Sequence, residues 1–66
     1  AWLTTKIKTQ MLTDNTIPGS RIKVITENGI VYMLGLLTQQ EAARATGLVQ
    51  GVSGVQKIVK LFEYID

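Results

Sequence analysis

Between Trp2 and Leu12 the chain holds no Gly or Pro, and Leu3, Ile7 and Met11 recur every four residues. That spacing marks one buried stripe of an amphipathic helix. Turn formers follow from Thr13 to Ser20, closed by Pro18-Gly19, and should end it. From Arg21 to Glu27 the period changes to two: Ile22, Val24 and Thr26 alternate with mostly polar neighbours, as in a half-buried strand. Asn28-Gly29 is a strong short hairpin signal, because both central residues of a type I′ turn need positive φ. Ile30 to Leu36 is the return strand, rich in β-branched and aromatic residues. Thr38 and Glu41 then have the spacing of a capping box. The helix they open turns Ala42, Ala45, Val49 and Leu48 inward. Gly47 interrupts it at a cost of about 1 kcal/mol against Ala, on a side with no packing reason. Gly51 and Gly54 end the helix, and Val55 to Ile65 reads as a third strand. The predicted order is α-β-β-α-β.

A two-residue loop at Asn28-Gly29 fixes the hairpin register: Thr26 opposite Val31, Val24 opposite Met33, Ile22 opposite Gly35. One sheet face then carries Ile22, Val24, Val31, Met33 and Leu37, joined by Ile58, Phe62 and Tyr64 of the third strand. Gly35 permits close approach to the packed helices. The other face carries Ile25, Ile30, Tyr32, Leu34, Val59, Leu61 and Ile65. Two helices cover only one face, so this second, apolar face is predicted to be open. A bulge near Lys60 would exchange Leu61 and Phe62 between the faces.

Composition narrows the function. The 66 residues are 45% hydrophobic and 18% charged, with seven Lys+Arg against five Asp+Glu. That excludes the low-hydrophobicity, high-charge class of disordered chains. Domains this small roughly break even between burial and chain entropy, so surplus apolar surface points to a partner. Without cysteine or histidine there is no disulfide framework or thiolate zinc site, and neither the commonest general base nor the commonest metal ligand. No apolar run approaches the ~20 residues of a membrane-spanning helix. The chain opens on Ala1-Trp2-Leu3, directly on a predicted helix. We therefore expect a single domain, residues 1–66, cut from a longer protein, whose localisation is not read from its ends.

The pattern as a whole resembles the BON domain. The resemblance is carried by Leu3-Thr4-Thr5-Lys6-Ile7-Lys8, Ile22-Lys23-Val24, Asn28-Gly29-Ile30-Val31, Met33-Leu34-Gly35 and Gly54-Val55. Trp2-Leu3-Thr4-Thr5-Lys6 and Leu34-Gly35-Leu36 look more narrowly like the second BON domain of dual-BON outer-membrane lipoproteins of Gram-negative bacteria. The resemblance implies an α+β sandwich, two helices on one face of a three-stranded mixed sheet. It also implies a periplasmic, outer-membrane-associated setting, no catalysis, no cofactor, and contact with phospholipid in support of membrane integrity. Gly51 stands where the family more often has a longer residue, so a looser helix end is expected.

The residues themselves give catalysis little to work with. Asp14, Glu27, Glu41, Glu63 and Asp66 show no spaced partner for paired-acid chemistry or a metal, and Ser20 and Ser53 have no base. Gly51-Val52-Ser53-Gly54 is formally a G-x-x-G, but it lies between a helix and a strand, where a helix stop is the plainer reading than a nucleic-acid clamp. We expect neither nucleic acid nor a small-molecule substrate as partner. Lys23, Lys60 and Arg21 read as a solvated strand rim.

Trp2 carries most information. On the helical wheel it lies roughly 140° from the buried stripe, with Thr5, Thr9 and Leu12 on its side, Lys6 beside them and Lys8 on a flank. It is either a lid folded over a sheet edge or the chain end, or a surface anchor, since Trp favours the headgroup level of a bilayer and lysines meet anionic lipid. The lipid-binding expectation therefore names Trp2, Thr5, Lys6, Lys8, Thr9 and Leu12. A rival expectation is a protein-interaction domain docking a sibling BON domain through Ile25, Ile30, Tyr32, Leu34, Val59, Leu61 and Ile65.

Overall fold

A computed structural model describes residues 2–66. Helix α1 (Trp2–Leu12) leads through a 3-10 turn at Gly19–Arg21 into strand β1 (Lys23–Glu27), followed by β2 (Ile30–Leu37), helix α2 (Gln39–Gln50) and β3 (Lys57–Tyr64). The strands lie in the order β1-β2-β3, the first pair antiparallel and the second parallel. A parallel neighbour needs a crossover, and α2 supplies it. The fold is the expected α+β arrangement of two helices and a three-stranded mixed sheet.

Asn28 and Gly29 have φ angles of 52° and 80°, both positive as a type I′ turn requires. The register that follows pairs Val24 with Met33 and Thr26 with Val31. On the other side Val31, Met33 and Gly35 pair in unbroken sequence with Ile58, Lys60 and Phe62, so no bulge shifts β3. Val24, Val31, Met33 and Leu37 are buried beneath Ile7 and Met11 of α1 and Ala42, Ala45 and Val49 of α2. Ile17 and Val52 complete this core from turns that sequence reading left outside it. Their amides are satisfied locally, by Asp14 O at 3.1 Å and Val49 O at 3.1 Å, which leaves the side chains free to point inward.

The start of α2 is the predicted capping box. Thr38 Oγ1 accepts from the Glu41 amide at 3.1 Å, and Glu41 Oε1 accepts from the Thr38 amide at 2.9 Å. At its end Gly51 stays right-handed and donates to Leu48 O at 3.1 Å.

Three placements differ from the sequence reading. Arg21 lies in the 3-10 turn rather than on a strand, and its guanidinium reaches Glu41 Oε2 at 2.9 Å. Gly35 makes room for that turn, not for a helix: a Cβ at Gly35 would sit 2.5 Å from the Arg21 carbonyl oxygen. Tyr64 is in register with Leu37 but 54% exposed, because α2 stops short of the outer edge of β3. There Tyr64, Lys60, Ala43 and Gly47 line an open groove of about 580 Å³. Gly47 faces it, and a methyl group there would meet nothing within 4 Å.

The two glycines should respond oppositely to Ala. Gly35→Ala drives a methyl into a backbone carbonyl and should cost about 1–3 kcal/mol. Gly47→Ala meets open space in a helix and should gain up to about 1 kcal/mol. Urea unfolding of both variants checks this; equal effects would contradict the packing described.

Candidate functional site

The rotation of α1 is set by its inner side. With Ile7 and Met11 fully packed, Trp2 and Leu12 are turned outward, 74% and 80% exposed. Trp2 is therefore not a lid. Thr5 and Thr9 are exposed on the same side. Lys6, one turn from Trp2, holds its ammonium 5.7 Å from the indole centroid, within cation–π range. It also donates to Ser53 Oγ at 3.0 Å. Lys8 has a different task. Its ammonium donates to Gly19 O at 3.0 Å and Ile22 O at 2.9 Å, tying α1 to the chain entering β1. The structure thus gathers Trp2, Thr5, Lys6, Thr9 and Leu12 on the outward side of α1 and removes Lys8 to a structural contact. Ser53 joins the group, and no sequence signal could have found it, since 47 positions separate it from Lys6.

The sheet face away from the helices is a second apolar surface. Ile25 pairs with Tyr32, Tyr32 with Val59, and Leu34 with Leu61, so these side chains form one patch. Ile30, Tyr32, Leu34 and Val59 are half-buried by their neighbours, whereas Ile25 and Leu61 are exposed. Leu36, 54% exposed, extends the patch. Its alternation with Leu34 was the available signal. Ile65 lies just past β3, its amide on Leu37 O at 2.9 Å and its side chain exposed. Lys23, Lys57 and Glu63 pair with Leu34, Ile30 and Leu36 and put charge at the rim.

A family model described as the BON domain matches residues 1–66. The chain belongs to the BON domain family. It is similar, at 42% identity over its whole length, to the outer membrane lipoprotein DolP of Haemophilus influenzae, covering 34% of that protein. It is 37% identical over the same span to the 21 kDa hemolysin of Actinobacillus pleuropneumoniae, covering 34% of it. Over 56 residues, 83% of this chain and 28% of the relative, it is 32% identical to osmotically-inducible protein Y of Escherichia coli. The chain thus spans about a third of the length of the curated relatives it matches.

Among the described residues of this BON domain, no three His, Cys, Asp or Glu side chains stand close enough to hold a metal, and no helix is long and apolar enough to cross a membrane. The carboxylates that do have partners have structural ones. Asp14 accepts from the Thr16 hydroxyl and amide, which holds its carboxyl below the usual range. Glu41 is likewise lowered from its ordinary 4.5, first by the Thr38 amide and further by the Arg21 guanidinium. A carboxylate with a lowered pKa binds its proton more weakly folded than unfolded, so its contribution is complete above the unfolded value and fades as pH falls through the folded one. The stability gap between the wild-type domain and Glu41→Gln should therefore be constant near neutrality and close progressively below about pH 4.5. Denaturant midpoints measured from pH 7 downward test this. A gap that widens on acidification would remove Glu41 as the N-terminal clamp of α2.

Proposed function

We propose that this BON domain is a non-catalytic module of the bacterial cell envelope that docks on anionic phospholipid through the outer face of α1. The observation that carries the proposal is the exposure of Trp2 and Leu12 on a helix face with Lys6. No carboxylate occurs between residues 1 and 13 to oppose an anionic surface. Trp2 and Leu12 stand about 15 Å apart along the axis and about 80° apart around it, so the helix lies along a surface rather than entering it. An indole favours the headgroup level, and each cation near an anionic surface adds about 1 kcal/mol. With Lys6 as the main cation on this face, docking is weak and reversible and needs a second attachment. The Haemophilus relative is named an outer membrane lipoprotein, and a covalent lipid on a parent chain would be such an attachment. The setting proposed with it is the periplasmic side of the outer membrane, and the proposed role is support of that membrane's integrity.

Titrating the labelled domain with phosphatidylglycerol micelles should shift amides of residues 2–12, and the shifts should weaken as salt rises. Trp2→Glu should abolish them. Lys8→Gln should lower stability by about 1–2 kcal/mol, through two lost charged hydrogen bonds, with little change in binding. Shifts confined to the sheet, or an unaffected Trp2→Glu variant, would sink the proposal.

A second reading is favoured by the paired Ile25, Tyr32, Leu34, Val59 and Leu61. An apolar patch of several hundred Å² usually marks an interaction site. A sibling BON domain in a longer parent chain is the partner of choice, because tethering raises effective concentration to about millimolar. This contact is apolar and should resist salt, so both readings can be tested in one protein. Leu61→Asp should abolish docking of the two domains while the far-ultraviolet circular dichroism is unchanged. If the variant unfolds instead, the patch is core.

A further inference from the structure

We infer that the loop of residues 51–54 is the headgroup seat of the same surface, taking the phosphodiester of an anionic lipid beside Trp2. This inference rests on the lipid reading of α1 and adds to it a second chain segment. The loop lies against the first turns of α1 at two points. Ser53 Oγ is 3.0 Å from Lys6 Nζ, and a Cβ at Gly54 would stand 3.5 Å from Leu3 Cδ1. Gly54 has φ +102°, a conformation L side chains rarely adopt, and this carries the chain past α1 before it enters β3.

What gathers there is one-sided. Lys6 is a donor only, and Ser53 accepts from it, which leaves the serine proton directed elsewhere. Neither that hydroxyl nor the Ser53 and Gly54 amides donate to a protein acceptor among the described residues. No carboxylate lies between Ala42 and Phe62 along the chain to compete. An ammonium beside a hydroxyl with its proton to give, on a loop whose Ser53 and Gly54 amides take no protein acceptor, suits an oxygen anion with several lone pairs. An unesterified phosphate oxygen has that chemistry, whether it belongs to a lipid headgroup or to a soluble phosphate. Trp2 decides between them: its exposed ring sits 5.7 Å from the same ammonium, where a headgroup would bring its hydrocarbon alongside.

The test compares phosphatidylglycerol micelles with soluble glycerol phosphate at equal phosphate concentration, read at each amide of the 66-residue chain. The expected result is that Ser53 and Gly54 shift together with residues 2–12 on micelles and stay unmoved by glycerol phosphate. Movement of α1 without the loop overturns this inference and leaves the α1 reading intact. No movement in either overturns both. Equal loop shifts with glycerol phosphate would make it a soluble-phosphate site and overturn the lipid assignment. Vesicle partition supplies the second arm. Ser53→Asp adds a charge and captures Lys6, so affinity for phosphatidylglycerol vesicles should fall roughly 5- to 25-fold. Ser53→Ala, which leaves the loop backbone unstrained, should fall by about twofold or more. Gln40→Glu makes the same net charge change about 15 Å away at the other end of α2 and should cost less than about twofold. Equal losses for Ser53→Asp and Gln40→Glu would reduce the effect to net charge and overturn the inference.

Discussion

The register of the hairpin at Asn28-Gly29 determines every other surface of this domain. Side chains alternate along a strand, so a slip of one residue would exchange the faces of the hairpin together. Val31 and Met33 would then face solvent, and Ile25 and Tyr32 would meet the helices. The turn prevents this because both its residues hold positive φ, which joins the strands with no residue to spare. Its influence continues into β3: the carbonyl of Gly29 accepts the amide of Gln56 at 2.8 Å, which sets where the parallel strand begins. Once the covered face is full, the apolar residues of the other face have no helix left to meet them.

Helix α1 shows how a short element serves two surroundings. Ile7 and Met11 bind it to the sheet, and this rotation leaves Trp2 and Leu12 outward. Its two lysines, two positions apart, divide the same way. Lys8 reaches across to the backbone carbonyls of Gly19 and Ile22, and Lys6 stays beside the indole and the α2–β3 loop. Adjacent cations on one helix are thus not interchangeable, and a helical wheel counts both as surface charge.

Packing by backbone is as important as packing by side chain. Gly35 brings β2 against the Arg21 carbonyl, and Lys8 holds the same turn from the other side. The turn then presents Arg21 to Glu41, which already caps α2 through Thr38. One short segment therefore links α1, the hairpin and the start of α2. Such links give a chain of 66 residues a defined structure where core volume is small.

Local chemistry alone determined the elements and the pairing of the two hairpin strands. The four-residue spacing of Leu3, Ile7 and Met11, the Asn28-Gly29 turn and the Thr38–Glu41 capping box each act within a few residues, so each was legible as sequence. The hairpin register and the two faces followed, because strand alternation is fixed once the turn is known. Ile17 and Val52 were not legible as core, since they lie in turns with no period to mark them. Nor was the division between Lys6 and Lys8, because it depends on where Ser53 and the Gly19–Arg21 turn arrive. Contacts between residues tens of positions apart are made by the packing of whole elements, and only the tertiary structure decides them. Gly35 is the clearest case: its small size was legible, but what came to lie against it was a carbonyl of a turn, not a helix.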